Sequence, residues 1–177
     1  MVAILLTSLR GGPVDSFEQA MITTGSMPAL LRGSDTEKEA ISRFESFLSH
    51  LDEKTAREET EKVYAPNAFF NDTLKTINGS SAIRDYFIRT AQGLDSMSVR
   101  FDDVAFSNNN YYFRWTMETR MKNLARGKTV LTIGVTLVRF DNEGRVILHQ
   151  DFWDSAQGVW EHVPLIGSFI RWIREKI

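Results

Sequence analysis

From Ser34 to Leu51 the apolar residues Ile41, Phe44, Phe47, Leu48 and Leu51 recur at helical spacing. Ser34 or Asp35 stands where an N-cap belongs, with acidic residues in the first turn. The pattern predicts a helix, followed by a second, more charged one over residues 52–65 that Pro66 ends. Residues 67–72 read as a short strand, and Asn78-Gly79 as a turn. Ile83, Tyr86, Phe87 and Thr90 mark one face of a third helix, closed by Gly93. From Ser96 onward the period drops to two. Four successive strands are predicted, with turns at 108–110, 125–127 and 142–144. Residues 163–177 return to a helical period, with Pro164 acceptable in the first turn. Helices followed by strands on short turns predict an α+β fold. A curved, mainly antiparallel sheet would wrap around the N-terminal helices, with one helix at the C-terminus.

The first 34 residues show no clean period and are expected to form a poorly packed leader to a single domain over 35–177. The apolar run Val2 to Leu6 is too short to span a bilayer. It also lacks the preceding basic residues of a secretory signal, since Arg10 follows it, so a cytoplasmic location is expected.

Composition narrows the function. A chain of 177 residues with 42% hydrophobic and 25% charged positions is long enough for one cored domain. The net charge is −2 and the basic residues are scattered, so no nucleic-acid partner is expected. The absence of cysteine excludes disulfides, thiolate metal sites and a cysteine nucleophile.

The candidate chemistry gathers on the last strand. Alternation puts Ile147, His149, Asp151 and Trp153 on one face and Leu148, Gln150 and Phe152 on the other. The Cβ atoms of His149 and Asp151 should lie about 6–7 Å apart. A neutral imidazole with a carboxylate partner can shuttle protons; a buried structural histidine is the other reading. Asp72 can serve as a base, or simply begin the turn that follows it. One His and two Asp form too generic a set to predict a metal, and no cofactor is implied. Trp115, Trp153, Phe113, Met117 and Tyr86 form either plain core or the wall of a pocket for a small hydrophobic molecule.

The stretches "VYAPNAFFNDTLKTINGSSAIRDYF" and "VTLVRFDNEGRVILHQDFWDSA" resemble the SnoaL-like and ketosteroid-isomerase-like domains of the nuclear-transport-factor-2-like superfamily, over Glu37 to Ile177. The resemblance implies a cone-shaped fold, three N-terminal helices packed into a curved sheet, and frequently a homodimer. It places a general base at Asp72, with Phe70 desolvating it, and turns Ile147, His149, Asp151 and Trp153 into the pocket. The oxyanion donors of the isomerase-like members would fall near Phe44 or Phe47 and near Thr136, and neither phenylalanine has a hydroxyl. Each such donor can supply about 2.7–4 kcal/mol of transition-state stabilisation, so their loss argues against steroid isomerisation. The implied site therefore has Asp72, His149 and Asp151 as catalytic residues, and Phe70, Tyr86, Trp115, Thr136, Ile147 and Trp153 as its lining.

The C-terminal segment carries more apolar surface than one core contact needs, in Val163, Leu165, Ile166, Phe169, Ile170, Trp172, Ile173 and Ile177. Packing on the sheet with closure of a homodimer is favoured over contact with a membrane surface, because Arg171, Arg174 and Lys176 are few. Two functions remain open: a cofactor-free acid–base enzyme of isomerase, cyclase, dehydratase or hydrolase type, and a non-catalytic ligand-binding or dimerisation module.

Overall fold

The computed structural model describes residues 13–176, so the apolar run Val2 to Leu6 lies outside the described residues. Part of the expected leader is instead a helix, α1 (Pro13–Gly25), started by Pro13 with Asp15 in its first turn. Phe17, Ala20 and Met21 pack on Phe69, Leu137 and Leu148 of the outer sheet face. Arg139 pins the helix, donating from Nη1 to Met21 O at 2.6 Å and to Thr24 Oγ1 at 2.9 Å. A three-residue stripe among polar residues such as Gln19, Thr23 and Thr24 is too short to stand out as a period.

The predicted helices form as α2 (Asp35–Ser49), α3 (Glu53–Val63) and α4 (Ser80–Gln92). Ser34 caps α2 by accepting from the Glu37 amide at 3.1 Å, and Asp52 caps α3 by accepting from Thr55 at 2.7 Å. Helix α3 stops sooner than the pattern predicts. Tyr64 and Ala65 are already extended, because Pro66 disfavours helical backbone in the residue before it.

Strand β1 (Tyr64–Asn71) leads through the short β2 (Thr76–Asn78) and α4 into β3 (Leu94–Ser107), β4 (Asn110–Met121), β5 (Thr129–Phe140) and β6 (Val146–Trp153). The six strands lie in the order β2-β1-β6-β5-β4-β3, with β1 and β6 parallel and the other pairs antiparallel. Asn108 and Asn109 adopt φ of 50° and 61°, the left-handed pair that a two-residue hairpin turn requires. The inner sheet face packs on α2 and α4 through a core that includes Phe44, Phe47, Ile83, Phe87, Phe113 and Val138. This is the α+β sheet-around-helices architecture that the pattern predicts.

Strand β6 departs from simple alternation. Leu148 pairs with Arg139 but Val146 pairs with Phe140, so one extra residue, Ile147, is inserted as a bulge. Val146 joins the inner core, while Ile147 and Leu148 both lie on the outer side near α1. The expectation that Ile147 faces the pocket is therefore corrected.

After a short turn, α5 (Ser155–Gly158), and a 3₁₀ turn at Trp160–His162, the chain ends in α6 (Ile166–Arg174). This helix packs mainly against the 160–162 turn, where packing on the sheet was expected. Arg174 pairs with Asp154 and Glu161, and Arg171 donates to Glu161 O at 2.7 Å. Leu165, Ile166, Phe169 and Trp172 stay exposed. Among the described residues no helix is long and apolar enough to cross a membrane.

Candidate functional site

Helices α2 and α4 do not fill the trough of the sheet. They leave a cavity of about 480 Å³. Phe70, Tyr86, Trp115 and Trp153 give it an aromatic wall, and Met97 and Met117 continue that wall along β3 and β4. Thr136, His149, Asp151 and Asp72 border the same space. The cavity thus gathers every residue expected at the site except Ile147.

Asp72 follows the last residue of β1. Its Oδ1 accepts from the amides of Leu74 and Lys75 at 2.9 and 2.8 Å, so it does begin the turn. Its Oδ2 accepts from the Tyr86 hydroxyl, and Trp153 Nε1 donates to its backbone oxygen at 2.8 Å. Burial raises the Asp72 carboxyl above its ordinary value of 3.8. The Tyr86 and amide hydrogen bonds oppose that rise, and the charge of Asp151 adds to it.

His149 is 2% exposed and enclosed by the rings of Phe44, Phe70 and Tyr64. Its Nε2 lies 3.0 Å from Asp151 Oδ1, the direct meeting that the strand spacing allows. The same Oδ1 accepts from Thr136 Oγ1, which in turn accepts from Trp115 Nε1 at 2.8 Å. Among the described residues no side chain or amide donates to Asp151 Oδ2. Asp151 therefore brings to the cavity border one carboxyl oxygen with no hydrogen-bond donor among the described residues, while Thr136 and His149 hold the other.

Sequence reasoning missed Tyr64, whose hydroxyl is 2.9 Å from His149 Nδ1. It was assigned to the end of a helix, so no facing toward β6 could be read. The signal was present in Pro66, which ends α3 early enough to make Tyr64 the first residue of β1. The parallel β1–β6 pairing then lays this strand alongside β6. Phe44 and Phe47 lie buried in the core, so α2 offers the cavity no hydroxyl at either position. Among the described residues no cluster of three or more His, Cys, Asp or Glu is arranged to hold a metal ion.

Residues 44–149 match the family model described as the SnoaL-like domain. No curated protein matches the chain. Among solved structures, the chain is similar to a protein from Catenulispora acidiphila with a ketosteroid isomerase-like fold, in complex with trimethylamine. The identity is 13% and the TM-score 0.59, over 68% of this chain and 89% of that one. It is also similar to an LEH-like epoxide hydrolase of M. tuberculosis, at 16% identity and a TM-score of 0.55, over 70% and 86% of the two chains. A third is an NTF2-like protein of unknown function from Exiguobacterium sp. 255-15, at 13% identity and a TM-score of 0.55, over 65% and 98%. At such identities these likenesses establish the fold alone.

Proposed function

The chain belongs to the SnoaL-like domain family, and from that premise we propose that it performs cofactor-free acid–base chemistry on a small hydrophobic substrate held in the cavity. The family includes isomerases, cyclases and epoxide hydrolases, and its members often form dimers. One observation carries the proposal. Two carboxyl groups, Asp72 and Asp151, border one apolar cavity in different surroundings. Paired carboxyls with unlike environments divide into a base and an acid. Asp151 is the base, acting through Oδ2, with His149 and Thr136 holding Oδ1. Asp72, raised by burial, is the acid: it gives its proton to the other end of the substrate as Asp151 removes one, and proton exchange with solvent restores both carboxyls. The reaction is an isomerisation, cyclisation, dehydration or hydrolysis.

The test is a thermal-shift screen of hydrophobic ketones, acids and epoxides, followed by turnover assays of each hit. Wild type should convert a bound compound, and Asp151→Asn and Asp72→Asn should each lower the rate by about 10²–10⁴ while still binding it. A compound that binds but is never converted refutes the enzyme. It would favour the second reading, a non-catalytic ligand-binding module, which the absence of a hydroxyl at Phe44 and Phe47 supports. The exposed apolar face of α6 supports a homodimer, and a cytoplasmic location belongs to the same proposal. A monomer in sedimentation velocity at tens of micromolar, or co-sedimentation of the full chain with lipid vesicles or the membrane fraction, would count against them.

A further inference from the structure

Three of the most enclosed carboxylates outside the cavity are matched with arginine, whereas Glu45, also partly buried, has no ion-pair partner among the described residues. Glu37, with its side chain 7% exposed, pairs with Arg32; Asp102, 12% exposed, pairs with Arg100 and Arg114; Asp141, 13% exposed, pairs with Arg145. Asp151 is comparably enclosed, at 16%, yet its one ion-pair partner among the described residues is His149. Asp72 has no lysine or arginine ion-pair partner among the described residues, although it borders the same space. Among the described residues the one lysine or arginine side chain on the cavity boundary belongs to Arg89, which is exposed.

His149 does not supply the missing positive charge. Trp115 Nε1 can only donate, so Thr136 Oγ1 accepts from it and gives its own single proton to Asp151 Oδ1. On the far side of the ring, the fully buried Tyr64 hydroxyl has His149 Nδ1 as its one hydrogen-bond partner among the described residues. A proton on Nδ1 would point at the Tyr64 oxygen and leave the hydroxyl proton without an acceptor, at the cost of an orphaned buried donor. Tyr64 cannot shed that proton, because burial raises it well above its ordinary value of 10.0. The arrangement that satisfies every group has a neutral ring, with Nε2–H facing Asp151 and Nδ1 accepting from Tyr64.

Among the described residues the carboxyl groups on the cavity thus have no lysine or arginine ion-pair partner, and the rings of Tyr86, Trp115 and Trp153 line the same space. Aromatic faces attract cations through their quadrupole, and the Lys75 ammonium already lies 5.9 Å from the centre of the Tyr86 ring. We propose that the ligand of this cavity is a hydrophobic cation, an apolar body carrying a protonated or quaternary amine, whose charge sits against Asp151 and Asp72. The apolar body lies along Met97, Met117 and Phe101. This rests on the reading of the cavity as a ligand site, and not on whether the ligand is turned over.

The test compares phenyltrimethylammonium with its uncharged isostere tert-butylbenzene, titrated into the full chain and read by tryptophan fluorescence and calorimetry. The cation should bind at least tenfold more tightly. Asp151→Asn should remove most of that preference while leaving affinity for the isostere within about twofold, with Asp72→Asn as the second variant should the first fail to fold. Equal or tighter binding of tert-butylbenzene overturns the charge inference and leaves the ligand cavity standing. Binding of neither probe overturns both, and a cation preference that survives both variants places the cation elsewhere and overturns this site.

Discussion

Gly134 stands on β5 directly between two tryptophans, paired with Trp115 on β4 and with Trp153 on β6. A Cβ added there would come within 2.6 Å of Trp115 Cη2 and 2.9 Å of Cε2, and closer still to Cζ2. The obstacle is a rigid ring, so Gly134→Ala must push the indole aside. Overpacking of this kind costs about 1–3 kcal/mol. Displacement also breaks the 2.8 Å Trp115–Thr136 hydrogen bond, worth about 0.5–1.5 kcal/mol. The sum is about 1.5–4.5 kcal/mol, or a fall of about 3–18 °C in Tm for a chain of this size. Urea unfolding followed by circular dichroism measures it. Gly93→Ala is the control, because its φ is −79° and its added Cβ meets nothing nearer than 3.4 Å. That variant should stay within about 0.5 kcal/mol of wild type. Trp115→Phe shrinks the ring, so combining it with Gly134→Ala should cost less than the two single changes added together. A loss under about 0.5 kcal/mol for Gly134→Ala, or strict additivity with Trp115→Phe, would refute the argument that the glycine exists to admit the indole.

Two further outcomes follow from the site. Because the Asp72 carboxyl lies above 3.8 in the folded chain, the native state holds its proton more tightly than the unfolded state does. Its contribution to stability is full below that value and is lost as pH rises through the folded value. The stability of wild type minus that of Asp72→Asn should therefore fall across this window; a difference that is flat or rises with pH would show that burial does not govern this group. Ile147→Ala should cost about 2–4 kcal/mol, since the side chain is 4% exposed, yet leave ligand affinity in the cavity unchanged. A weakened ligand would put Ile147 back on the inner face.

The family and the order of elements are written locally. Helix caps such as Ser34 and Asp52, the Asn108-Asn109 turn and the change of period near Ser96 depend on neighbours along the chain, so they can be read from it. The juxtaposition of His149 with Asp151 was equally legible, because alternation along one strand sets it. What tertiary structure decided is everything that depends on partners distant in sequence. The bulge at Ile147 is defined only by pairing with β5, and no residue type announces it. Tyr64 meets His149 across 85 residues because β1 runs parallel to β6, a crossover that local pattern cannot specify. Helix α1 is held in part by Arg139, more than a hundred residues away, and not by its own weak stripe. The same holds for the cavity. Its aromatic and acidic residues were visible one by one, but only the closed packing of α2 and α4 on the sheet leaves space among them and withholds an arginine from Asp151.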